Sequence, residues 1–158
     1  MAVLPILHYP DRRLSQRCAE VGAVTDDIRT LAQDMLDTMY DAKGRGLAAP
    51  QVGVMSRIFV MDAGWKDGTP APQVMINPDL LWMAESRVDG PEGCLSLPGI
   101  ATIVSRATVV RLRWLDLQGA VQEDHLTGFS AICAQHEFDH LDGVLTLHRI
   151  PAQARAIA

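Results

Sequence analysis

The stretch TGFSAICAQHEFDHLDG, residues 127–143, decides how this chain is read. Thr127 offers an N-cap and Gly143 a stop, so the segment reads as a helix beginning near Thr127. Phe129, Cys133, His136 and His140 recur at steps of three and four and share one face of it. His136-Glu137-Phe138-Asp139-His140 is an HExxH pattern in the helical context that gives it meaning. Its two imidazoles, one turn apart, can be offered to a single ion, and Glu137 stands beside them as a general base for water. The plainer reading is two histidines on a half-buried face. In a chain of this composition the three-residue pattern arises by chance in only about 0.005 of sequences.

Upstream, Thr25 offers another N-cap, with Asp26 and Asp27 where negative charge suits the exposed amides. Ile28, Leu31, Met35 and Met39 follow at helical spacing, so a helix is expected at about 26–42, stopped by Gly44 and Gly46. Short apolar runs at 58–61 and 74–76 read as strands, the second ended by Asn77-Pro78, with a loop over 63–72. At 108–115, Val110, Leu112 and Trp114 alternate with Arg111 and Arg113, which makes a strand. Gln118-Gly119 turns it into a return strand at 120–126. The order is helix, several short antiparallel strands, helix. Nothing repeats a βαβ unit, so the class is α+β.

The chain has 158 residues, 48% hydrophobic and 21% charged, and a net charge of −5. One domain over 1–158 is expected, large enough to hold a core without disulfides. The charge gives nucleic acid no reason to bind. The cysteines, Cys18, Cys94 and Cys133, are an odd set and a poor disulfide framework. The opening MAVLPILHYPDRRL lacks a basic region before its short apolar run, so neither a signal segment nor a membrane span is expected. A reduced, cytosolic protein follows.

Two histidines leave a catalytic metal site short of a third ligand. Candidates are Cys94, Cys133, His125, His148 and several carboxylates. Ligands at 133, 136 and 140 would form a row over about 10 Å long, too long for one ion, so Cys133 reads as core. Cys94 lies in Pro91-Glu92-Gly93-Cys94-Leu95-Ser96, read as a tight turn entering an extended segment. That separate segment can approach the histidines from the side, and a thiolate suits a soft or borderline metal. On spacing, Cys94 is preferred, with His148 or a carboxylate still open. Gly44–Gln51, GRGLAAPQ, is neither a dinucleotide fingerprint nor a Walker motif. Its small residues allow close backbone approach to a ligand, and Gln51 could donate to a developing oxyanion. Alternatively, the segment is a helix stop packed with small residues.

Together GRGLAAPQ, EGCLS at Glu92–Ser96 and QHEFDHLDG at Gln135–Gly143 resemble, in order and spacing, the motifs of the peptide deformylase family. The resemblance runs from Tyr9-Pro10-Asp11 to about residue 150. It implies a mostly antiparallel α+β fold with its sheets packed around a C-terminal helix carrying HExxH. It implies Cys94, His136 and His140 as metal ligands, Glu137 as acid/base, and Gln51 with the Leu95 amide as donors to the carbonyl oxygen. Gly46 resembles the glycine whose backbone meets the substrate, and Glu92 a carboxylate behind the metal. Leu47, Ile132 and Cys133, on or near the metal helix face, are candidates for the methionine pocket.

The cofactor implied is one divalent ion, physiologically Fe(II), replaceable by zinc, nickel or cobalt. The substrate implied is the N-formyl-methionyl end of nascent chains, in a bacterial cytoplasm or an organelle of bacterial descent, with transient ribosome association and no membrane. The sequence departs from the family at Ala101, where many members carry a polar or basic residue, and at Thr146 and His148. Ala101 and Thr146 motivate one rival, a hydrolase of another small N-acyl group; the second, of a different class, is an inactive metal- or peptide-binding paralogue. Retention of Glu137 and Gln51 argues against the second, since a binder needs no general base.

Overall fold

Two antiparallel sheets and two helices make up the computed structural model, which describes residues 2–150. Helix α1 spans Asp26–Asp41, and its first turn is held by the Thr25 hydroxyl, which accepts from the Ile28 amide at 3.4 Å. Strands β1 (Gly46–Ala48), β2 (Ile58–Met61), β3 (Gln73–Met83), β6 (Val109–Leu115) and β7 (Val121–Thr127) form a five-stranded sheet in the order β1-β2-β3-β6-β7. Strands β4 (Arg87–Cys94) and β5 (Leu97–Ala107) form a separate hairpin. Helix α2 spans Gly128–Leu141. The α+β, mostly antiparallel expectation holds.

The alternation of β2 shows how the layers are built. Ile58 and Val60 pack with Met35 and Met39 of α1, whereas Phe59 and Met61 join the cluster of Ala131, Cys133 and Ala134 on α2. Successive side chains point to opposite faces. A strand covered by a helix on each side is therefore buried at every position, as β2 is. Each such large side chain contributes about 1.5–3 kcal/mol by leaving water.

Three local expectations need correction. Asn77-Pro78 does not end its strand, because β3 continues to Met83 through a register shift between Ile76 and Asp79. Asn77 takes a left-handed φ of 50°, and its side-chain amide closes both bonds with the Val21 backbone, at 2.7 and 2.8 Å. Thr127 does not cap α2 with its side chain, since it is the last residue of β7, paired with Val109; Gly128, at φ 57°, makes the turn into the helix. The order around Cys94 is also reversed. The strand comes first, and the tight turn at Leu95-Ser96 follows it.

Gly143 follows α2 at φ 74°, and a Cβ there would lie 2.6 Å from the Ser15 backbone. Only glycine lets the end of α2 dock on the 3-10 turn Arg12–Ser15.

Candidate functional site

Helix α2, the β4–β5 hairpin and the segment leading into β1 enclose a cavity of about 640 Å³. Gly46, Gln51, Cys94, Leu95, His136 and Glu137 line it. Ile132, Cys133 and Ala101 line it as well, whereas Leu47 is fully buried against the α1 side of the sheet. His125 stands on β7 against the ring of Trp82, and His148 Nδ1 accepts from the Leu145 amide at 2.9 Å. The two other histidines considered as a third ligand are thus engaged elsewhere.

Ligand atoms of Cys94, His136 and His140 lie within 4.8 Å of one another, with Cys94 Sγ 3.5 Å from His140 Nε2. The helix supplies the two imidazoles one turn apart, and the hairpin end carries the thiol in from the side. His136 Nδ1 donates to Glu92 Oε1 at 2.9 Å, which fixes its tautomer and turns Nε2 toward the cluster. The donor set, one sulfur and two imidazole nitrogens, suits a divalent transition ion in a tetrahedron with one position left for water or substrate. Burial disfavours the His136 cation, but Glu137, Cys94 and Glu92 together raise its pKa well above the usual value. An ion entering the cluster must displace that proton, so acid opposes its binding. Burial and the neighbouring His136 and Arg106 push His140 the other way, toward the neutral form that ligates.

Glu137 is 4% exposed, and its Oε1 has no hydrogen-bond partner among the described residues. Burial lifts its pKa to about 7, with His136 opposing and Glu92 assisting. A carboxyl poised near neutrality can both take and return a proton. Gly46 passes so close that a Cβ there would overlap the Glu137 carboxylate, which is why glycine stands at this position. Gln51 Oε1 accepts from the Ala48 amide at 3.0 Å. Its Nε2 donates to Ser96 Oγ at 3.0 Å and lies 3.7 Å from Cys94 Sγ, so one amide hydrogen is anchored and the other reaches toward the thiol. Cys133 is buried, and its thiol donates to the Arg45 carbonyl at 3.4 Å. Burial, then Glu137 and Glu92, raise its pKa well above the ordinary value, and its sulfur is not among the three clustered ligand atoms.

Sequence reasoning placed Glu92 behind the histidines but missed the arginine that holds it. Arg106, 4% exposed, donates twice to Glu92 at 2.8 Å and once to Asp139 at 2.6 Å; Arg149 also binds Asp139. The signal was weak because β5 buries Thr102, Val104 and Arg106 while leaving Ile103 exposed, the inverse of an ordinary polar-out pattern. Burial would raise the Glu92 pKa, but bonds from Arg106 and His136 hold it at about 2. A carboxylate depressed from its ordinary 4.5 stabilises the fold above that value, and loses this contribution as pH falls toward about 2. Arg106→Leu leaves Glu92 and Asp139 buried without this partner and is expected to cost about 3–5 kcal/mol in urea unfolding. The stability lost on acidification over that same window should shrink in the variant.

A family model described as polypeptide deformylase matches residues 3–156. The peptide deformylase of Alkalilimnicola ehrlichii is 53% identical over 145 residues, covering 92% of this chain and 80% of that protein. The crystal structure of peptide deformylase from Ehrlichia chaffeensis in complex with actinonin superposes with a TM-score of 0.95 at 37% identity, over 99% of this chain and 94% of that one. The Thermotoga maritima peptide deformylase gives 0.90 at 36% identity, over 96% and 99%.

Proposed function

The chain belongs to the peptide deformylase family, metal-dependent hydrolases that remove the formyl group from the N-formyl-methionine of nascent peptides, and we propose that the Cys94–His136–His140 cluster is its catalytic centre. The observation that carries this assignment is the convergence of those three ligand atoms beside a buried carboxylate with an unpartnered oxygen, Glu137. A divalent ion held by the three ligands supplies polarisation of the formyl oxygen and a lowered pKa for water. We assign Fe(II) as the physiological ion, with zinc, nickel or cobalt as substitutes; the mixed sulfur and nitrogen donors support a borderline metal.

The protein's own groups carry the remaining steps. Glu137 takes a proton from the attacking water as its oxygen bonds to the formyl carbon. The Gln51 Nε2 hydrogen not held by Ser96, the one that reaches toward Cys94, and the Leu95 amide donate to the tetrahedral oxyanion. As the C–N bond breaks, Glu137 returns the proton to the leaving amine, so formate and a free methionyl amine result. Gly46 brings its backbone against the substrate, and Ile132 and Cys133 contribute apolar lining for the methionine side chain.

The whole of residues 1–158 acts as one catalytic domain in this reading. Transient ribosome association follows from the substrate, and a bacterial cytoplasm is the compartment proposed. In support, the relative and the solved structures named above come from bacteria. Formate release from formyl-Met-Ala-Ser by protein loaded with Fe(II) without oxygen is the direct test. Activity of the ferrous form above that of the zinc form is expected. A well-metallated protein that releases no formate would refute the assignment.

A further inference from the structure

The two walls of the cleft differ in charge. On one side stand Lys43, Arg45 and Lys66; on the other, the β5 residues Pro98, Ile100 and Ala101 carry no charge. The carboxylates lining the cavity, Glu92 and Glu137, are both buried, and Glu92 is paired with Arg106. Lys43 and Lys66 are exposed and have no ion pair among the described residues. Arg45 meets Asp67 at 3.8 Å, its guanidinium lies 4.8 Å from the Phe129 ring centre, and its buried Nε has no hydrogen-bond partner among the described residues. A protein of net charge −5 thus keeps a local cationic wall beside its reaction centre.

Backbone geometry says which part of a substrate meets that wall. Among the described residues β1 is the end strand of its sheet, paired only with β2, so its other edge can accept an extended chain. A Cβ at Gly46 on this edge would run into the Glu137 carboxylate, so a formyl group placed for attack by that carboxylate's water sits beside Gly46. Lys43, Gly44, Arg45 and Gly46 line the cavity in succession, and the peptide beyond the methionine runs outward past Arg45 and Lys43.

We propose that this cleft selects formyl-methionyl chains carrying an acidic side chain in one of the two residues after the methionine, recognised by Arg45, Lys43 and Lys66. The inference rests on the deformylase reading of the same cleft. The uncharged opposite wall adds to it, because nothing there competes for a cationic side chain or repels an anionic one.

The test compares formate release from formyl-Met-Asp-Ala, formyl-Met-Asn-Ala and formyl-Met-Lys-Ala, and from the set with the variable residue one place later. Aspartate is expected to exceed asparagine by about two- to fivefold in kcat/KM at low salt in at least one set, carried by KM, with lysine lowest. The ratio should shrink toward one at about 0.5 M salt, as screening predicts. It should also fall in Lys43→Gln/Lys66→Gln, and further when Arg45→Gln is added. Equal rates for the three peptides, or a preference that survives both salt and the substitutions, would overturn the proposal. Should the triple variant fail to fold, the salt series on the unaltered protein and Lys43→Gln alone, at an exposed site, decide the matter. No formate from any peptide would overturn the deformylase assignment and this inference together, whereas formate without charge preference overturns only the inference.

Discussion

Glu137→Gln is expected to lower kcat for formate release by about 10²–10⁴-fold, the usual worth of a positioned general acid–base. The amide keeps the shape of the carboxyl but cannot accept the water proton. The loss should fall on kcat rather than KM, because proton transfer belongs to the transition state and not to substrate binding. Metal content should be retained, since Glu137 is not among the three clustered ligands. Thermal stability should hold or rise. Burial has already pushed the Glu137 carboxyl up to about 7, so a neutral amide there relieves a desolvated charge. A glutamine variant that keeps more than about a tenth of the activity would remove the residue from the proton-transfer role.

Cys94→Ala should have a comparable effect by another route. It leaves His136 and His140 without the donor that the hairpin carries in, and two imidazoles on one helix cannot complete a tetrahedron. Loss of an outer-shell partner alone typically costs 10–100-fold in metal affinity, so removal of a direct ligand should cost more than about 100-fold. Metal stoichiometry after dialysis reads this directly, and formate release should fall in parallel. The fold should survive, because the β4–β5 pairing from Arg87↔Ala107 to Gly93↔Ala101 does not involve the thiol. Full metal content in this variant would refute the proposed coordination.

The contrast between the helices and the β4–β5 hairpin shows what could be read in advance. α1 carries its periodicity openly; α2, buried on most of its faces, is legible through HExxH, whose spacing becomes geometry as soon as the segment is helical. Strand β2 was legible because both faces are buried, which makes its apolar run continuous. The hairpin was not. Its first strand, RVDGPEGC, contains a proline and two glycines and lacks alternation, and its second hides a buried arginine. The extent of β3 was misjudged because the Asn77 side chain, by bonding to the Val21 backbone, lets a left-handed residue continue the strand.

The sequence by itself determined which residues can do the chemistry: two histidines a turn apart, a glutamate between them, a reduced cysteine and a glutamine after a glycine-rich run. Those follow from residue type and local spacing, which a linear chain records. The tertiary structure brought the Cys94 thiol, preferred on spacing and implied by the family motif, to the two histidines and engaged His125 and His148 elsewhere. It also placed Arg106 behind His136 through Glu92, and set Lys43, Arg45 and Lys66 on one wall of the cleft. These are contacts between segments far apart in the chain. Their distances depend on how the hairpin and β1 pack against α2, which no local pattern encodes.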